Sequence, residues 1–314
     1  MKQFLKKSLL FGGFLLVSLY LMLFKLDPSW VEGRKQQYVE QIDRNVDYLV
    51  MGSSRAEHCI KPNVMDTTKL KVFNIGEDGH GLPSNYLLLK VLLEKYKVQI
   101  NHVVLQVDEF SFNGSNGFSS KFRDDYFVTD LQDSAVYNAF CRYRNPYIAE
   151  TVKDFPFMAN VMYNDFYKFV RRYPLVFKNR IKFLERSYQK NIAFFGIDKG
   201  YSPFFPDPNV KIENYRDTIE ADDLDYFERF VDLCNRNHIK LYLFRAPILE
   251  CERSDSREFD EYIHAFTQKN NIPYLDLKCD YQIHSQYWTQ THPADSLANL
   301  ITKDVEKFLL KYKQ

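Results

Sequence analysis

Between residues 47 and 108 short β-prone runs alternate with a helix-patterned segment, and no other feature of the sequence limits the fold as much. Tyr48-Leu49-Val50-Met51 is uniformly apolar, as a strand covered on both faces of a parallel sheet must be, and it stops at Gly52-Ser53-Ser54-Arg55. A second run, Lys71-Val72-Phe73-Asn74-Ile75, closes at Gly76 and leads into Glu77-Asp78-Gly79-His80-Gly81. Residues 85–96 place apolar side chains at helical spacing, and residues 101–108 form a third strand with a polar C-terminal edge. Strands joined through a helix imply crossovers, and hence a parallel α/β sheet. Open sheets of this kind bind ligands outside the carboxyl ends of their strands, so Ser53 or Ser54 stands where chemistry is done. The same Gly-Ser-Ser also reads as a plain strand-to-helix turn with a serine N-cap.

The alternation resumes after residue 220. Leu224, Phe227, Phe230, Val231 and Cys234 share one face of a predicted helix over 221–237, followed by a strand at 239–247, a helix at 257–270, a fifth strand at 272–277 and a closing helix at 295–313. Pro62 limits any helix after Ser54-Arg55 to about two turns. Residues 31–45 read as a short linking helix. Residues 109–222 break the pattern with a block rich in Phe, Tyr, Arg and Asp, with helices predicted near 161–172 and 177–188 and a proline-punctuated loop at 200–208. This block reads as an insertion forming a lid or partner surface, or equally as an extra helical layer. The expected fold is a three-layer α/β/α sandwich with a mostly parallel, flavodoxin-like sheet.

Residues 8–24 carry no charge and follow Lys2, Lys6 and Lys7, which predicts one N-terminal transmembrane helix at the short end of the spanning range. No small-x-small cleavage site or lipid-acceptor cysteine follows, so the run reads as an uncleaved signal anchor. The lysines set the N-terminus in the cytoplasm and the main domain in the periplasm or outside the cell. The expected division is an anchor at 1–30 and an α/β domain at 31–314, with the insertion at about 109–222. Net charge is +1, from 42 basic and 41 acidic residues, so nothing favours nucleic acid as a partner. Five widely spaced cysteines without a Cys-x-x-Cys pair exclude a dense disulfide framework, leave room for at most two bridges, and suggest mostly buried free thiols. No metal or cofactor motif is present.

The order of these pieces resembles the SGNH (GDSL-type) hydrolases, particularly membrane-anchored members linked to acylation of bacterial cell-surface polysaccharides. The likeness covers residues 47–108 and 221–308. In that family the first strand ends in Gly-Asp-Ser, whose serine is the nucleophile; Gly52-Ser53-Ser54 places Ser54 there, with Ser53 in place of the aspartate. Ser54-Arg55 followed by Ile60-Lys61-Pro62 looks like the Gly-Ser-Ser-Arg variant of the cell-surface branch. Asn74-Ile75-Gly76 is similar to the block whose glycine donates a backbone N–H to the oxyanion, and Gly76 is favoured over Gly79 for that part. The block that normally supplies an oxyanion asparagine reads Leu105-Gln106-Val107-Asp108-Glu109, so either Gln106 or Asn113 substitutes or the hole has fewer donors. In the last block, Thr289-Gln290-Thr291-His292, His292 is in the place of the base and Thr289 in that of its aspartate, leaving Asp276, Asp280 or Asp295 as the candidate orienting acid.

The resemblance implies a serine esterase or O-acyltransferase working through a Ser54–His292 acyl-enzyme without a cofactor, with Ser54, Gly76 and Gln106 around the oxyanion. The expected substrate is an ester, acetyl in the first instance, of an envelope or extracellular glycan. The departures at Ser53, at 106–108 and at Thr289 favour the alternative, a catalytically weakened glycan-binding or accessory protein that partners a membrane-bound acyltransferase.

Overall fold

The computed structural model describes residues 7, 11–14, 42, 45–65, 71–113, 122–123, 126–127, 130–143, 146–154, 206–216 and 218–312. Most of the apolar run at 8–24, nearly all of the predicted linking helix at 31–45, the helices at 161–172 and 177–188 and most of the loop at 200–208 lie outside the described residues. Among those described, no helix is long and apolar enough to cross a membrane.

In chain order the elements are β1 (Asn45–Met51), α1 (Ser54–Cys59), α2 (Pro62–Met65), β2 (Val72–Asn74), α3 (Leu82–Glu94), β3 (Gln99–Gln106), α4 (Glu109–Phe112), α5 (Ser134–Tyr143), α6 (Pro146–Asp154), α7 (Ala221–Arg236), β4 (Lys240–Arg245), α8 (Arg257–Asn270), β5 (Tyr274–Asp276), β6 (Tyr287–Thr289), β7 (His292–Pro293) and α9 (Asp295–Lys311), with a two-residue ladder between Tyr215–Arg216 and Ser254–Asp255. Strands β1 to β5 form one five-stranded sheet in the order 2-1-3-4-5, every pair parallel. All five strands fall on the expected runs. Helix α3 starts three residues before the predicted 85, because Gly81 caps it and Pro83 occupies its first turn, where a fixed φ suits the helix and the missing N–H costs nothing.

The chain divides into two compact units, residues 1–37 with 124–180 and residues 38–123 with 181–314. In the first, α5 and α6 pack on one another through buried Val136, Ala139, Phe140, Ala149 and Val152. The second holds the sheet. Successive strand residues point to opposite faces: Tyr48, Val50, Val104, Tyr242 and Phe244 share a core with Leu297, Ile301, Val305 and Leu309 of α9 and with Ala56 and Cys59 of α1. The alternate residues Leu49, Val103, Leu105 and Leu243 are fully buried on the other face, the side of α3 and α7, which pack together. Phe112, Phe227, Phe259 and Phe266 extend that layer through α4, α7 and α8, with ring centroids 5.0–5.6 Å apart. Apolar layers on both faces are why the strands could be read as continuous apolar runs.

At the carboxyl end of β4 the fully buried Arg245 gives Nε and Nη2 to Glu109 Oε2, at 2.9 and 2.6 Å, and Nη1 to Asp260 Oδ1 at 2.6 Å. Ser254 Oγ donates to the other Glu109 oxygen at 2.7 Å. Burial works against the Glu109 carboxylate, but the Arg245 guanidinium outweighs it and holds the pKa below the ordinary carboxylate value. A disulfide joins Cys251 to Cys279 across a Cα–Cα distance of 5.4 Å, tying the loop after β4 to the segment after β5. Cys59 and Cys234 are buried free thiols, each pushed up to about 12 by burial, and Cys141 is a half-buried free thiol.

Candidate active site

In a sheet of order 2-1-3-4-5 the chain leaves β1 to one side and returns on the other at β3, opening a crevice at the carboxyl ends of those two strands. Gly52 turns β1 into that crevice. Its φ is +143°, and a Cβ there would lie 2.7 Å from Gln106 Cβ and 2.9 Å from Ala56 Cβ, so the turn needs glycine for both conformation and space. Ser53 is the N-cap of α1, accepting from the Arg55 N–H at 3.3 Å, and Ser54 is the first helical residue. Its N–H belongs to the group that an α-helix leaves without an internal acceptor.

The second glycine works by packing. A Cβ on Gly76 would lie 2.7 Å from both Ala56 Cβ and the Glu57 backbone nitrogen, so its absence lets the loop after β2 close on the first turn of α1. Asn74 bridges the same elements, donating to the Ala56 and Ile60 carbonyls at 2.9 Å each and accepting the Gly76 N–H at 2.9 Å. The Gly76 N–H is thus engaged by Asn74 Oδ1, where it was expected to face an oxyanion. Gln106 is engaged in the same way: its Oε1 accepts from Ser53 Oγ at 2.8 Å and from Ser53 N at 3.2 Å, and its Nε2 donates to Asp108.

The structure brings Ser54 and His292 together from opposite ends of the sequence. Ser54 Oγ lies 2.8 Å from His292 Nε2. His292 is held in a short antiparallel hairpin in which Thr289 of β6 is paired with His292 of β7. Its Nδ1 meets two hydroxyls, Thr289 Oγ1 at 2.8 Å and Thr291 Oγ1 at 3.1 Å. With Ser54 donating to Nε2, Nδ1 carries the ring proton and the threonine hydroxyls accept it, a tautomer assigned from this hydrogen-bond pattern.

The three candidate orienting acids have other surroundings. Asp276 Oδ2 lies 3.4 Å from Arg245 Nη1 and its Oδ1 accepts from Lys278 N at 2.9 Å. Asp295 begins α9 and accepts from Lys61 Nζ at 2.7 Å. Asp280 lies in the turn after β5, its backbone N–H on the Leu277 carbonyl at 3.0 Å. The orienting position is filled by Thr289, at the aspartate's own place in the sequence. Threonine offers a neutral acceptor there, where a carboxylate would also stabilise the imidazolium.

Electrostatics act on the base in the same sense. Burial, then the neighbouring His58 and Arg55, push the His292 pKa down to about 3. The ring is flanked edge-on by His58 and by Trp288, each with its centroid 6.0 Å away, and Trp288 is 41 % exposed. A neutral imidazole at ordinary pH can accept the Ser54 proton, though with small driving force.

The sequence reading did not anticipate the partnership of Arg55 with Asp108. Arg55 is 3 % exposed and Asp108 1 %. Their side chains form an ion pair, and Arg55 Nη2 also donates to the Ala246 and Pro247 carbonyls at 2.6 and 3.2 Å. The available signal was an arginine directly after the serine together with an acidic residue at the end of the third strand. Among the described residues no group of His, Cys, Asp and Glu is gathered in a way that could hold a metal ion.

No family model matches the sequence, and no curated protein matches it. Solved structures do. One is of a Desulfitobacterium hafniense DCB-2 protein named as lipolytic and of the G-D-S-L family, 12 % identical, with a TM-score of 0.41, covering 84 % of this chain and 99 % of that one. Another is of a Bacteroides fragilis NCTC 9343 protein named as an acylhydrolase, 12 % identical, with a TM-score of 0.43, covering 91 % and 99 %. A third is an active-site mutant of a family two carbohydrate esterase from Clostridium thermocellum, 11 % identical, with a TM-score of 0.36, covering 86 % and 64 %.

Proposed function

We propose that this chain is an SGNH-type serine esterase or O-acyltransferase acting on an ester, acetyl in the first instance, of an envelope or extracellular glycan. The observation that carries the reading is the 2.8 Å contact between Ser54 Oγ and His292 Nε2 at the carboxyl edge of a parallel sheet. As Ser54 Oγ attacks the ester carbonyl, its proton passes to His292 Nε2, and the Ser54 N–H at the start of α1 faces the developing oxyanion. Collapse of the tetrahedral intermediate sends that proton to the departing alkoxide and leaves an acyl group on Ser54. Water or a sugar hydroxyl, deprotonated by the same nitrogen, then takes the acyl group. Water as acceptor makes an esterase and a sugar a transferase.

Location supports the glycan. The charge-free run at 8–24 behind three lysines is proposed as a single anchor with the N-terminus in the cytoplasm, placing the catalytic domain outside. The Cys251–Cys279 disulfide supports an oxidising compartment. The exposed Trp288 beside His292 offers an aromatic face on which a pyranose ring can pack.

A second reading, an accessory protein that holds glycan or a membrane acyltransferase without turnover, is favoured by the neutral partner on Nδ1 and the low basicity of His292. Full-length protein in detergent, treated with a fluorophosphonate probe and p-nitrophenyl acetate, separates the two. The catalytic reading expects labelling and hydrolysis that Ser54→Ala abolishes, and equal behaviour of the two proteins overturns it. Protease added to spheroplasts tests topology: digestion of the domain is expected, and full protection reverses the orientation.

A further inference from the structure

We propose that Ser53, Gln106, Asp108 and Arg55 form one clamp that positions the Ser54 nucleophile, so that the residues on either side of Ser54 are set by a single carboxylate at the end of β3. This rests on Ser54 being the nucleophile. From the Ser53 side, backbone N–H and hydroxyl both donate to Gln106 Oε1, at 3.2 and 2.8 Å, and Gln106 Nε2 passes the connection to Asp108 Oδ2. From the Arg55 side, Nη1 donates to the same Asp108 oxygen. The Arg55 backbone N–H returns to Ser53 Oγ at 3.3 Å, so the chain of bonds closes on itself around Ser54. Asp108 is anchored independently, its Oδ1 accepting from Ser111 N and Ser111 Oγ at 2.9 Å each as the N-cap of α4.

Burial makes the clamp stiff. Gln106 and Asp108 are each 1 % exposed, and polar groups at such depth hold their partners because water cannot replace them. The positions also explain each other. Ser53 and Gln106 lie 53 residues apart, both depart from the family pattern, and the two departures meet at one acceptor oxygen, Gln106 Oε1. A Ser53 hydroxyl needs an acceptor across the crevice, and the Gln106 carbonyl oxygen supplies it. An amide at that site then needs an acceptor of its own, which Asp108 provides. These are positioning residues: none is placed against the reacting atoms, and their effect passes through the backbone on both sides of Ser54.

The test is the second-order rate of fluorophosphonate labelling of the full-length protein in detergent, with p-nitrophenyl acetate kinetics and thermal unfolding alongside. Displacing a reacting group by about 1 Å costs roughly 10²-fold, so Ser53→Ala and Gln106→Met should each slow labelling by about 10- to 100-fold, lowering kcat with KM unchanged. Ser53→Thr keeps the hydroxyl and should label at the wild-type rate. Because everything Ser53 contributes passes through one acceptor atom, Gln106 Oε1, the double variant should be no more than about threefold slower than the slower single variant. Asp108→Asn leaves Arg55 buried without its counter-charge and is the variant most exposed to misfolding, so Ser53→Ala, at a half-buried position, is the decisive one. Labelling at wild-type rates in both single variants, a loss confined to KM, or fully multiplicative losses in the double variant overturns the clamp while leaving Ser54 as nucleophile. Wild-type protein that labels no faster than Ser54→Ala overturns the nucleophile assignment and the clamp with it.

Discussion

Replacing Thr289 by valine removes one oxygen and almost no volume, and the geometry sets the size of the effect. Thr289 Oγ1 is 2.8 Å from His292 Nδ1, the closer of the two hydroxyls, and Thr291 Oγ1 remains at 3.1 Å. A neutral hydrogen bond contributes about 0.5–1.5 kcal/mol, and every 1.36 kcal/mol on the barrier is tenfold in rate, so the single variant should lose roughly twofold to just over tenfold in kcat. Removing both hydroxyls with Thr289→Val/Thr291→Val leaves the productive tautomer without either of them. The ring can then carry its proton on Nε2, where it cannot accept from Ser54. A wrong tautomer in a serine–histidine site costs up to about 10⁴-fold, so the double loss should exceed the product of the single losses. The assay is p-nitrophenyl acetate turnover with separate kcat and KM, supported by the labelling rate, and Thr289→Ser as the rescue that restores the hydroxyl. Wild-type kcat in the double variant would refute the orienting role of these threonines. So would a loss carried wholly by KM.

Four further outcomes follow from the structure. Because His292 is held down to about 3 by burial, His58 and Arg55, the Ser54-dependent rate should stay level as pH falls from 8 to 5, and an acid limb at pH 6–7 would contradict the assignment. The same histidine links pH to stability: its folded pKa lies below the unfolded value of about 6.5, so the unfolded chain alone takes the proton and stability drops as pH falls through 6.5 towards 3, by at most ~1.4 kcal/mol per pH unit. Denaturant titrations should show that slope weakened in His292→Gln. Gly76→Ala forces a Cβ to within 2.7 Å of Ala56 Cβ and Glu57 N, which should destabilise the fold by about 1–3 kcal/mol and lower kcat by shifting α1; an unchanged melting curve would refute the packing role. Glu109→Gln leaves the fully buried Arg245 without its fully buried counter-charge, with an expected loss of about 3–5 kcal/mol read from urea midpoints, whereas a loss below about 1 kcal/mol would mean that the more exposed Asp260 and Asp276 suffice.

The fold was readable because its signals are local. A strand buried on both faces must be apolar along its whole length, and a helix covering a sheet must repeat its apolar residues every three to four positions, so β1, β3, β4, α7 and α8 stand out in the chain. The strand end narrowed the candidate nucleophile to Ser53 or Ser54, and it was the resemblance to the SGNH hydrolases that singled out Ser54, at the start of α1, and His292, three residues before α9. What the sequence hid was the partner of each polar group. Nothing local distinguishes a Gly76 whose N–H faces a crevice from one whose N–H is taken by Asn74 two residues earlier. A glutamine at the end of β3 looks like an oxyanion donor until Ser53 and Asp108 are seen to engage both ends of its amide.

The sequence by itself therefore determined the strands and their parallel arrangement, since period and punctuation are properties of neighbours in the chain, and the resemblance it carries supplied Ser54 and His292 as the candidate pair. Tertiary structure alone decided what orients His292, where Asp276, Asp280 and Asp295 lie, and how Arg55 reaches Asp108. Hydrogen bonds and ion pairs depend on distances of a few tenths of an ångström between atoms that the chain separates by tens or hundreds of residues. Ser54 and His292 are 238 residues apart in sequence and 2.8 Å apart in space, and the packing of α9 and β7 against α1 converts the first number into the second.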